Sequence, residues 1–236
     1  MKTLKPKLFI LSLVFLLLNS CVVKSLHPFY TKSTIFFEKK FIGTWEDTEN
    51  AKWEVLLFQE VILKENKKNK PTELDDDQLR IYNKYKNGYV VYFEKDNTKS
   101  SFLAMPFKIN NQLFLDFTPI EDKEIDDLKN DLYKIHLIGT HTLAKVDINS
   151  NNDISINWFS SKKLEELLNE DKIKIKHEKV GFSETVLLTA STEELEKFIK
   201  KYMDSKDEDK WKTDVEFNLK RVNETSKTNF DKQRND

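Results

Sequence analysis

The sequence predicts a mainly β protein of the α+β class, an antiparallel barrel of about eight to ten strands with one or two accessory helices. Three observations lead to this prediction. Runs of alternating apolar residues recur along the chain, short polar segments separate them, and few segments have helical spacing. Period-two alternation rich in β-branched and aromatic residues is typical of half-buried strands, and a long series of such strands closes into a barrel or sandwich.

The strand-like segments share one pattern, in which every second residue is apolar. Leu113, Leu115 and Phe117 illustrate it, because these three residues share one face of an extended chain. The predicted strands are centred on residues 53–57, 79–81, 89–93, 102–109, 113–117, 133–137, 142–148, 154–158, 173–175, 186–188 and 215–219.

Turn residues between these runs favour antiparallel pairing. Residues 86–88, which end in Asn-Gly, are typical of a tight hairpin. Residues 110–111 and 149–153 are rich in Asn and Asp, which tolerate a left-handed backbone. The longer polar segment 65–78 contains Pro71 and is predicted to be a mobile loop at one end of the barrel.

Two helices are predicted to interrupt the strands. Ser191 and Glu194 form a capping box, and apolar residues follow at helical spacing, so a helix is expected over residues 192–204. A shorter helix is expected to begin near Ser161, with three leucines on one side: Leu164, Leu167 and Leu168.

The first 21 residues have the pattern of an export signal. Three lysines precede a run over residues 8–18 that is apolar except for Ser12. This run is shorter than the roughly 20 residues that a membrane-spanning helix needs. It is followed by the small residue Ser20 and by Cys21, the only cysteine in the chain. A basic start, a short apolar run and a small residue before the cleavage point predict a secretory signal peptide.

The cysteine after Ser20 resembles the lipobox of bacterial lipoproteins. The resemblance implies that residues 1–20 are a signal peptide and that Cys21 becomes the acylated N-terminus, anchored by fatty-acyl chains such as palmitate. Each buried methylene contributes about 0.8 kcal/mol, so the three chains of such a lipoprotein anchor it firmly. The alternative is a free or buried thiol in a protein that stays inside the cell, and the position of Cys21 after the apolar run favours acylation.

The residues after the cysteine bear on which membrane is used. Residues 22–25 lack the aspartate that signals inner-membrane retention in some lipoproteins and the acidic cluster associated with surface export in others. The resemblance therefore points to the bacterial cell envelope, at the outer membrane facing the periplasm. Residues 21–37 are predicted to be a lipidated tether that partly docks, residues 38–222 the barrel domain, and residues 223–236 a disordered polar tail.

Gly43 and Trp45, separated by one residue, stand where the strand-like pattern begins, just after Phe41. This Gly-x-Trp resembles the signature of lipocalins and related barrels. The resemblance implies a lipocalin-like barrel whose closed end is plugged by Trp45, with an arginine of the last strand across its ring, for which Arg221 is the candidate. Residues 25–30, the Gly-x-Trp and residues 187–191 together are similar to a group of uncharacterised bacterial envelope lipoproteins. The chain departs from secreted lipocalins in having a strand after the main helix and a second helix between strands.

Composition and motifs give no specific reason to propose several function classes. Lys and Arg number 39 and Asp and Glu 40, so the formal net charge is −1. No positive face is concentrated in the sequence, which argues against a nucleic-acid partner. The chain lacks the nucleophile-elbow, phosphate-loop, zinc-protease and dinucleotide-binding motifs. We therefore predict no enzymatic activity, no catalytic residue and no cofactor.

Two patterns of metal-ligating residue types do not meet the requirements of a site. Asp and Asn alternate over residues 147–153, but the glycine and glutamate of a calcium loop are replaced by Asn152 and Trp158. His136 and His141 would face opposite sides of a strand and have no cysteine or carboxylate at metal spacing. We therefore predict no metal site and interpret these histidines as structural.

Two functions from different classes fit the sequence. In the first, the barrel binds a small apolar ligand or lipid, since a barrel of about eight strands can hold one. In the second, the core is solid and the lipoprotein binds an envelope protein partner. Both are non-enzymatic and anchored to the membrane through Cys21, and the aromatic content of 12%, with 17 Phe, fits either.

Overall fold

The computed structural model describes residues 22–120 and 137–222. Its strands within these ranges are β1 (Lys24–Ser25), β2 (Gly43–Glu46), β3 (Lys52–Leu57), β4 (Tyr89–Lys95), β5 (Thr98–Ile109), β6 (Gln112–Pro119), β7 (His141–Ile148), β8 (Ile154–Trp158), β9 (His177–Val180), β10 (Thr185–Leu188) and β11 (Glu216–Arg221). Its α-helices are α1 (Phe58–Glu65), α2 (Asp76–Tyr85), α3 (Ser161–Asn169) and α4 (Thr192–Asp204). Two short 3-10 helices span Lys39–Phe41 and Pro71–Glu73.

Eight strands close into an antiparallel barrel. Strands β2 to β8 pair in chain order, β8 pairs with β11, and β11 returns to pair with β2. Each of the eight strands therefore pairs with a neighbour on both sides, and none is an edge strand of the barrel. The predicted fold class, a mainly β lipocalin-like antiparallel barrel with accessory helices, is confirmed.

Three further strands extend the sheet outside the barrel, and we call them the flap. β1 pairs with β7 in antiparallel register, with Lys24 opposite Thr142. On its other side β1 pairs with β10 in parallel register, with Lys24 opposite Leu187. β9 completes the flap by pairing with β10 as a hairpin. The flap therefore joins the first described strand to a segment more than 160 residues away in sequence.

Alternation along the strands divides the apolar residues into two cores. The inner core fills the barrel and includes Phe41, Trp45, Trp53, Val55, Tyr89, Val91, Leu115, Phe117, Ile154, Ile156, Trp158 and Leu219. The outer core lies between the barrel wall, α3, α4 and the flap and includes Val23, Phe29, Met105, Phe107, Phe114, Leu143, Phe159, Leu164, Leu188, Leu195 and Ile199. In β5, β6 and β7, the side chains of one face belong to the inner core and those of the other face to the outer core. These strands are therefore covered on both faces.

Tight turns use Asn and Asp in place of glycine. Asn110 and Asn111 have φ of 48° and 64° and connect β5 to β6, in agreement with the predicted turn. Asp96 and Asn97 have φ of 50° and 62° and connect β4 to β5. Two successive positive φ angles are the geometry that suits the twist of a two-residue hairpin. The second turn was not among those predicted from the sequence.

The predictions between β3 and β4 are wrong. Residues 79–81, predicted as a strand, lie in α2, and residues 86–88 connect α2 to β4 instead of joining two strands. Residues 65–78, predicted as a loop, contain a 3-10 helix and the start of α2. The physical reason is a capping box: the Asp75 carboxylate accepts from the backbone of Gln78, whose side chain accepts from the backbone of Asp75. The accessory helices are therefore four among the described residues, against the one or two expected.

Other predictions differ in extent or lie outside the described residues. Residues 173–175, predicted as a strand, have no ladder partner, and β9 begins two residues later. Three predicted segments lie outside the described ranges: the signal peptide 1–20 with Cys21, residues 133–136 of the predicted strand 133–137, and the tail 223–236.

The helix predicted over residues 192–204 is confirmed with the same bounds, and its capping box is present. The Ser191 hydroxyl accepts from the backbone N–H of Glu194 at 3.3 Å, and the Glu194 carboxylate accepts from the backbone N–H of Ser191 at 2.9 Å. Leu195 and Ile199 are fully buried against the outer core. The cap therefore positions the helix that covers one side of the barrel.

We expect Ser191→Ala to lower the free energy of unfolding by about 1 kcal/mol, because it leaves an N-terminal N–H of α4 without its acceptor. Ser191→Asp, which retains an acceptor, should stay within a few tenths of the wild type. Urea unfolding followed by tryptophan fluorescence measures both. Equal losses in the two variants would show that the side-chain acceptor at residue 191 does not stabilise the start of the helix.

Candidate functional site

A 3-10 helix, Lys39–Phe41, lies at the end of the barrel from which β2 starts and closes that end. Phe41 is 1% exposed, and its ring meets Tyr89 edge-on at 5.2 Å between centroids. The Tyr89 hydroxyl donates to the carbonyl of Glu38 at 2.8 Å, and the Trp45 indole N–H donates to the carbonyl of Phe41 at 2.9 Å. Side chains of β2 and β4 therefore hold the closing helix through its backbone.

The structure brings together the three residues of the Gly-x-Trp resemblance. Arg221, the last residue of β11, lies over the ring of the fully buried Trp45, with Cζ 4.2 Å from the ring centroid. Its Nη1 donates to the carbonyl of Ile42 at 3.1 Å and its Nη2 to the carbonyl of Lys40 at 2.8 Å. One planar guanidinium thus joins the last strand to the closing helix and to the core tryptophan, which a lysine could not do in the same geometry.

Gly43 provides the space for this arginine. Its φ of +139° lies in a region that residues with a side chain rarely adopt, and a Cβ at this position would collide with Nη1 of Arg221. Backbone conformation and available space both require glycine. These three residues are therefore a closure of the barrel wall with a structural role, and no reacting group lies among them.

Aromatic side chains pack together inside the barrel. Trp53 contacts Phe93 and Phe217 with ring centroids 5.0 Å apart in each case, and Trp158 contacts Phe117 at 5.0 Å. Trp53, Phe117 and Trp158 are 3%, 4% and 9% exposed. A barrel of eight strands is wide enough either for its own side chains or for one small ligand. Among the described residues, the rings of Trp53 and Trp158 approach each other to 6.4 Å between centroids and take up part of that space.

A carboxylate is buried on the outer face of the barrel, beneath the N-terminal segment. Asp116 on β6 is 1% exposed, and its Oδ2 accepts from the backbone N–H of Phe29 at 2.8 Å. Its Oδ1 lies 2.7 Å from Nδ1 of His141, and the hydroxyl of Thr118 lies 3.0 Å from the same nitrogen. Burial raises the pKa of Asp116 above its ordinary value, although the hydrogen bond from His141 acts in the opposite direction.

The residues weighed as metal ligands have structural contacts. His141 bonds Asp116 in a pair that the sequence did not predict, and His136 lies outside the described residues. The Asn149 side chain accepts from the backbone N–H groups of Asn151 and Asp153, both at 2.9 Å, so it holds the turn between β7 and β8. Among the residues that the structure describes, no group of three or more His, Cys, Asp or Glu is arranged to hold a metal ion.

A groove of about 1150 Å³ lies outside the barrel, between α3, α4 and the segment that connects α3 to β9. Its floor is apolar and includes Leu167, Phe198 and Tyr202. Among the described residues that line its rim, the lysines number five and the carboxylates three: Lys172, Lys174, Lys176, Lys197, Lys201, Asp171, Glu194 and Asp207. An apolar floor inside a charged rim is the usual anatomy of a protein-binding surface.

The N-terminal segment is packed from its first described residue. Val22 forms a bridge with Ser160, and Val23 is fully buried and donates its N–H to the carbonyl of Phe159 at 2.9 Å. Phe29 is also fully buried, so the predicted docking of aromatic residues within 21–37 involves much of that segment. The residue after Cys21 is therefore held against the domain.

Comparison with known proteins identifies no matching family model, no similar curated protein and no similar solved structure. Within the described ranges, no helix combines the length and the apolar character needed to cross a bilayer. The functional assignment therefore depends on the chemistry of the residues themselves.

We expect Arg221→Met to lower the free energy of unfolding by about 1–2 kcal/mol, because it removes a cation from the Trp45 ring and two hydrogen bonds to backbone carbonyls. Lys220→Met is the matched control, since it removes a neighbouring exposed charge that faces away from Trp45. Chemical denaturation measures both variants. An Arg221→Met protein as stable as the Lys220→Met protein would rule out the arginine as a closure of the barrel.

We expect the wild type to lose stability relative to Asp116→Asn as the pH rises. Below the ordinary carboxyl pKa of about 3.9, Asp116 is protonated in both folded and unfolded chains. Because burial raises its pKa in the folded state, the unfolded chain ionises more readily as the pH rises through the interval up to the raised pKa. Asparagine does not titrate, and it can accept from Phe29 and donate to His141.

The measurement is the free energy of unfolding of both proteins from about pH 3 to about pH 8. The difference between them should change across this range in favour of Asp116→Asn. A difference that moves in favour of the wild type would mean that the hydrogen bond from His141 outweighs burial and holds the pKa of Asp116 below its ordinary value.

Proposed function

We propose that this protein is a non-enzymatic lipoprotein of the bacterial cell envelope, anchored to the outer membrane through acylated Cys21 and facing the periplasm. In this proposal the barrel is a solid scaffold that presents a binding surface for an envelope protein partner. The observation that carries the choice is the packing of the interior, where the rings of Trp53, Phe117 and Trp158 are buried against their neighbours. A binding surface on the outside is consistent with that packing.

The membrane anchor is supported by the sequence of the first 21 residues, and the contacts of Val22 and Val23 bear on the length of its connection to the domain. The first 21 residues combine a basic start, an apolar run and a cysteine after a small residue, as in bacterial lipoproteins. The next two residues, Val22 and Val23, are bonded to Ser160 and Phe159, so an acylated Cys21 would hold a folded domain at the membrane through a very short connection.

The groove between α3 and α4 is the surface that best fits a protein partner. Phe198 is partly exposed and stacks on the buried ring of Tyr202, with centroids 5.7 Å apart. Lys176 pairs with Glu194 at 3.0 Å, and the remaining lysines of the rim leave it with an excess of positive charge. A segment that carries acidic residues around an apolar side chain is complementary to this surface.

The first hypothesis, an apolar ligand inside the barrel, has one supporting observation. Phe93, Phe102 and Phe217 belong to the inner core but are only partly buried. A lipid or other apolar molecule in contact with these rings would complete their burial. The lipid content of the purified protein separates this hypothesis from the solid scaffold.

The test is crosslinking in intact cells, followed by mass spectrometry of the purified protein and of the lipids extracted with it. We expect an N-terminal peptide that begins at acylated Cys21, no lipid in equimolar amount besides the anchor, and one recurrent crosslinked protein. Charge reversal by Lys197→Glu and Lys201→Glu should reduce the recurrent crosslink several-fold, because it removes the positive rim of the groove.

Lys64→Glu with Lys86→Glu is the control, since both lysines are exposed and lie on or beside α1 and α2, away from the groove. An equimolar bound lipid would favour the apolar-ligand hypothesis. An uncleaved or unmodified terminus would exclude the anchor, and a crosslink that survives charge reversal would exclude the groove.

A further inference from the structure

Phe182 lies at the tip of the β9–β10 hairpin with its side chain entirely in solvent, at a relative exposure of 104%. Val180, at the end of β9, is also exposed, at 40%. The turn is formed with positive φ at Gly181 and Glu184, of 70° and 50°. Isolated exposed apolar residues are common on protein surfaces, so the position of this one relative to the rest of the chain decides whether it has a function.

The parallel pairing of β1 with β10 determines that position. Lys24 lies opposite Leu187, and Ser25 lies opposite Leu188. Parallel strands run in the same direction, so the segments that lead into them lie at the same end of the flap. The described residues leading into β1 are Val22 and Val23, and the segment leading into β10 is the hairpin tip with Phe182.

Contacts around Ser160 support the same placement. Val22 forms its bridge with Ser160. Ser160 in turn lines one cavity of about 510 Å³ together with Ser183 and Thr185, which belong to the hairpin tip and the start of β10. The hairpin tip and the partner of Val22 are therefore neighbours across a single small cavity.

The connection between the proposed anchor and the folded domain is very short. Val23 is fully buried, and Val22 is bonded to Ser160. Consecutive Cα atoms are about 3.8 Å apart, so the backbone of Cys21 lies within that distance of Val22. Acyl chains on Cys21 would therefore enter the bilayer directly beside this face of the domain, which would bring the face against the lipid surface.

We propose that the tip of the β9–β10 hairpin inserts Phe182 into the same bilayer that holds the acyl chains of Cys21. The inference rests on the proposed lipid anchor. The hairpin is then a second membrane contact, and two contacts orient the domain where one would let it rotate. The cavity beside the tip is lined by two lysines and three carboxylates: Lys162, Lys179, Glu165, Glu184 and Asp214. Because these charges give no positive excess, the contact depends on the apolar ring of Phe182 rather than on attraction to anionic lipid.

The test places a nitroxide label on Ser183→Cys, which retains Phe182, and on Ser150→Cys as the matched control. Both serines are exposed turn residues, and Ser150 precedes β8 whereas Ser160 follows it, so the control lies at the opposite end of that strand. The acylated full chain is reconstituted into vesicles of phosphatidylethanolamine and phosphatidylglycerol. Accessibility of each label to oxygen and to a water-soluble nickel chelate reports its depth.

We expect the label at 183 to be several-fold more accessible to oxygen relative to the chelate than the label at 150. Phe182→Asp in the Ser183→Cys chain should abolish the difference, and replacement of phosphatidylglycerol by phosphatidylcholine should leave it unchanged. Mass spectrometry of the same preparation shows whether Cys21 is acylated.

An acylated chain whose two labels remain equally exposed to the chelate would overturn the hairpin contact and leave the anchor intact. A chain without acylation would overturn the anchor itself. Shielding at 183 in whole membranes but not in pure lipid vesicles would indicate a protein partner at the hairpin, and would also overturn the proposal.

Discussion

The structure depends on the closure of the barrel by its last strand. β11 must return across the chain to pair with both β8 and β2, and only then does the interior become a closed core. Arg221 completes this step, because its guanidinium contacts the Trp45 ring and two carbonyls around the closing 3-10 helix at once. Without the strand that carries Arg221, the edges of β2 and β8 would be open and the rings of the inner core would face water.

Closure has a second consequence, because it leaves the outer face of β5, β6 and β7 to be covered by other parts of the chain. α4, the flap and the N-terminal segment cover it, and Phe29 and Val23 are buried there completely. This arrangement buries one carboxylate, that of Asp116. It accepts a hydrogen bond from the backbone N–H of Phe29 and lies 2.7 Å from Nδ1 of His141. The same contacts that bury the segment also remove the freedom expected of a tether next to Cys21.

Most of the barrel could be predicted from local sequence, because period-two alternation and helix capping are local signals. The strands that line the barrel and the bounds of α4 follow from them. α2 was misassigned because Leu79 and Ile81 satisfy a strand pattern over a short window, although Asp75 and Gln78 carry the same capping signal as Ser191 and Glu194.

The flap and the Asp116–His141 pair could not be derived, since both depend on contacts between segments that are distant in sequence. An aspartate at an alternating position of an otherwise apolar strand is the one local sign that a buried polar contact was needed there. The Gly-x-Trp resemblance did carry long-range information, because it related Arg221 to Gly43 and Trp45 before any pairing was known.

The two proposed binding features have a common origin in the chain. After β8 the chain leaves the barrel and forms α3, the β9–β10 hairpin and α4 before it returns as β11. The groove lies between α3 and α4, and Phe182 lies at the tip of the hairpin, so both belong to this insertion. Aromatic rings pack inside the barrel, and the insertion adds further surfaces on its outside. With the proposed anchor at Cys21, an insertion that is packed on the barrel and paired with β1 would hold the proposed partner surface at a defined orientation to the membrane, which an eight-stranded barrel on a flexible linker would not do.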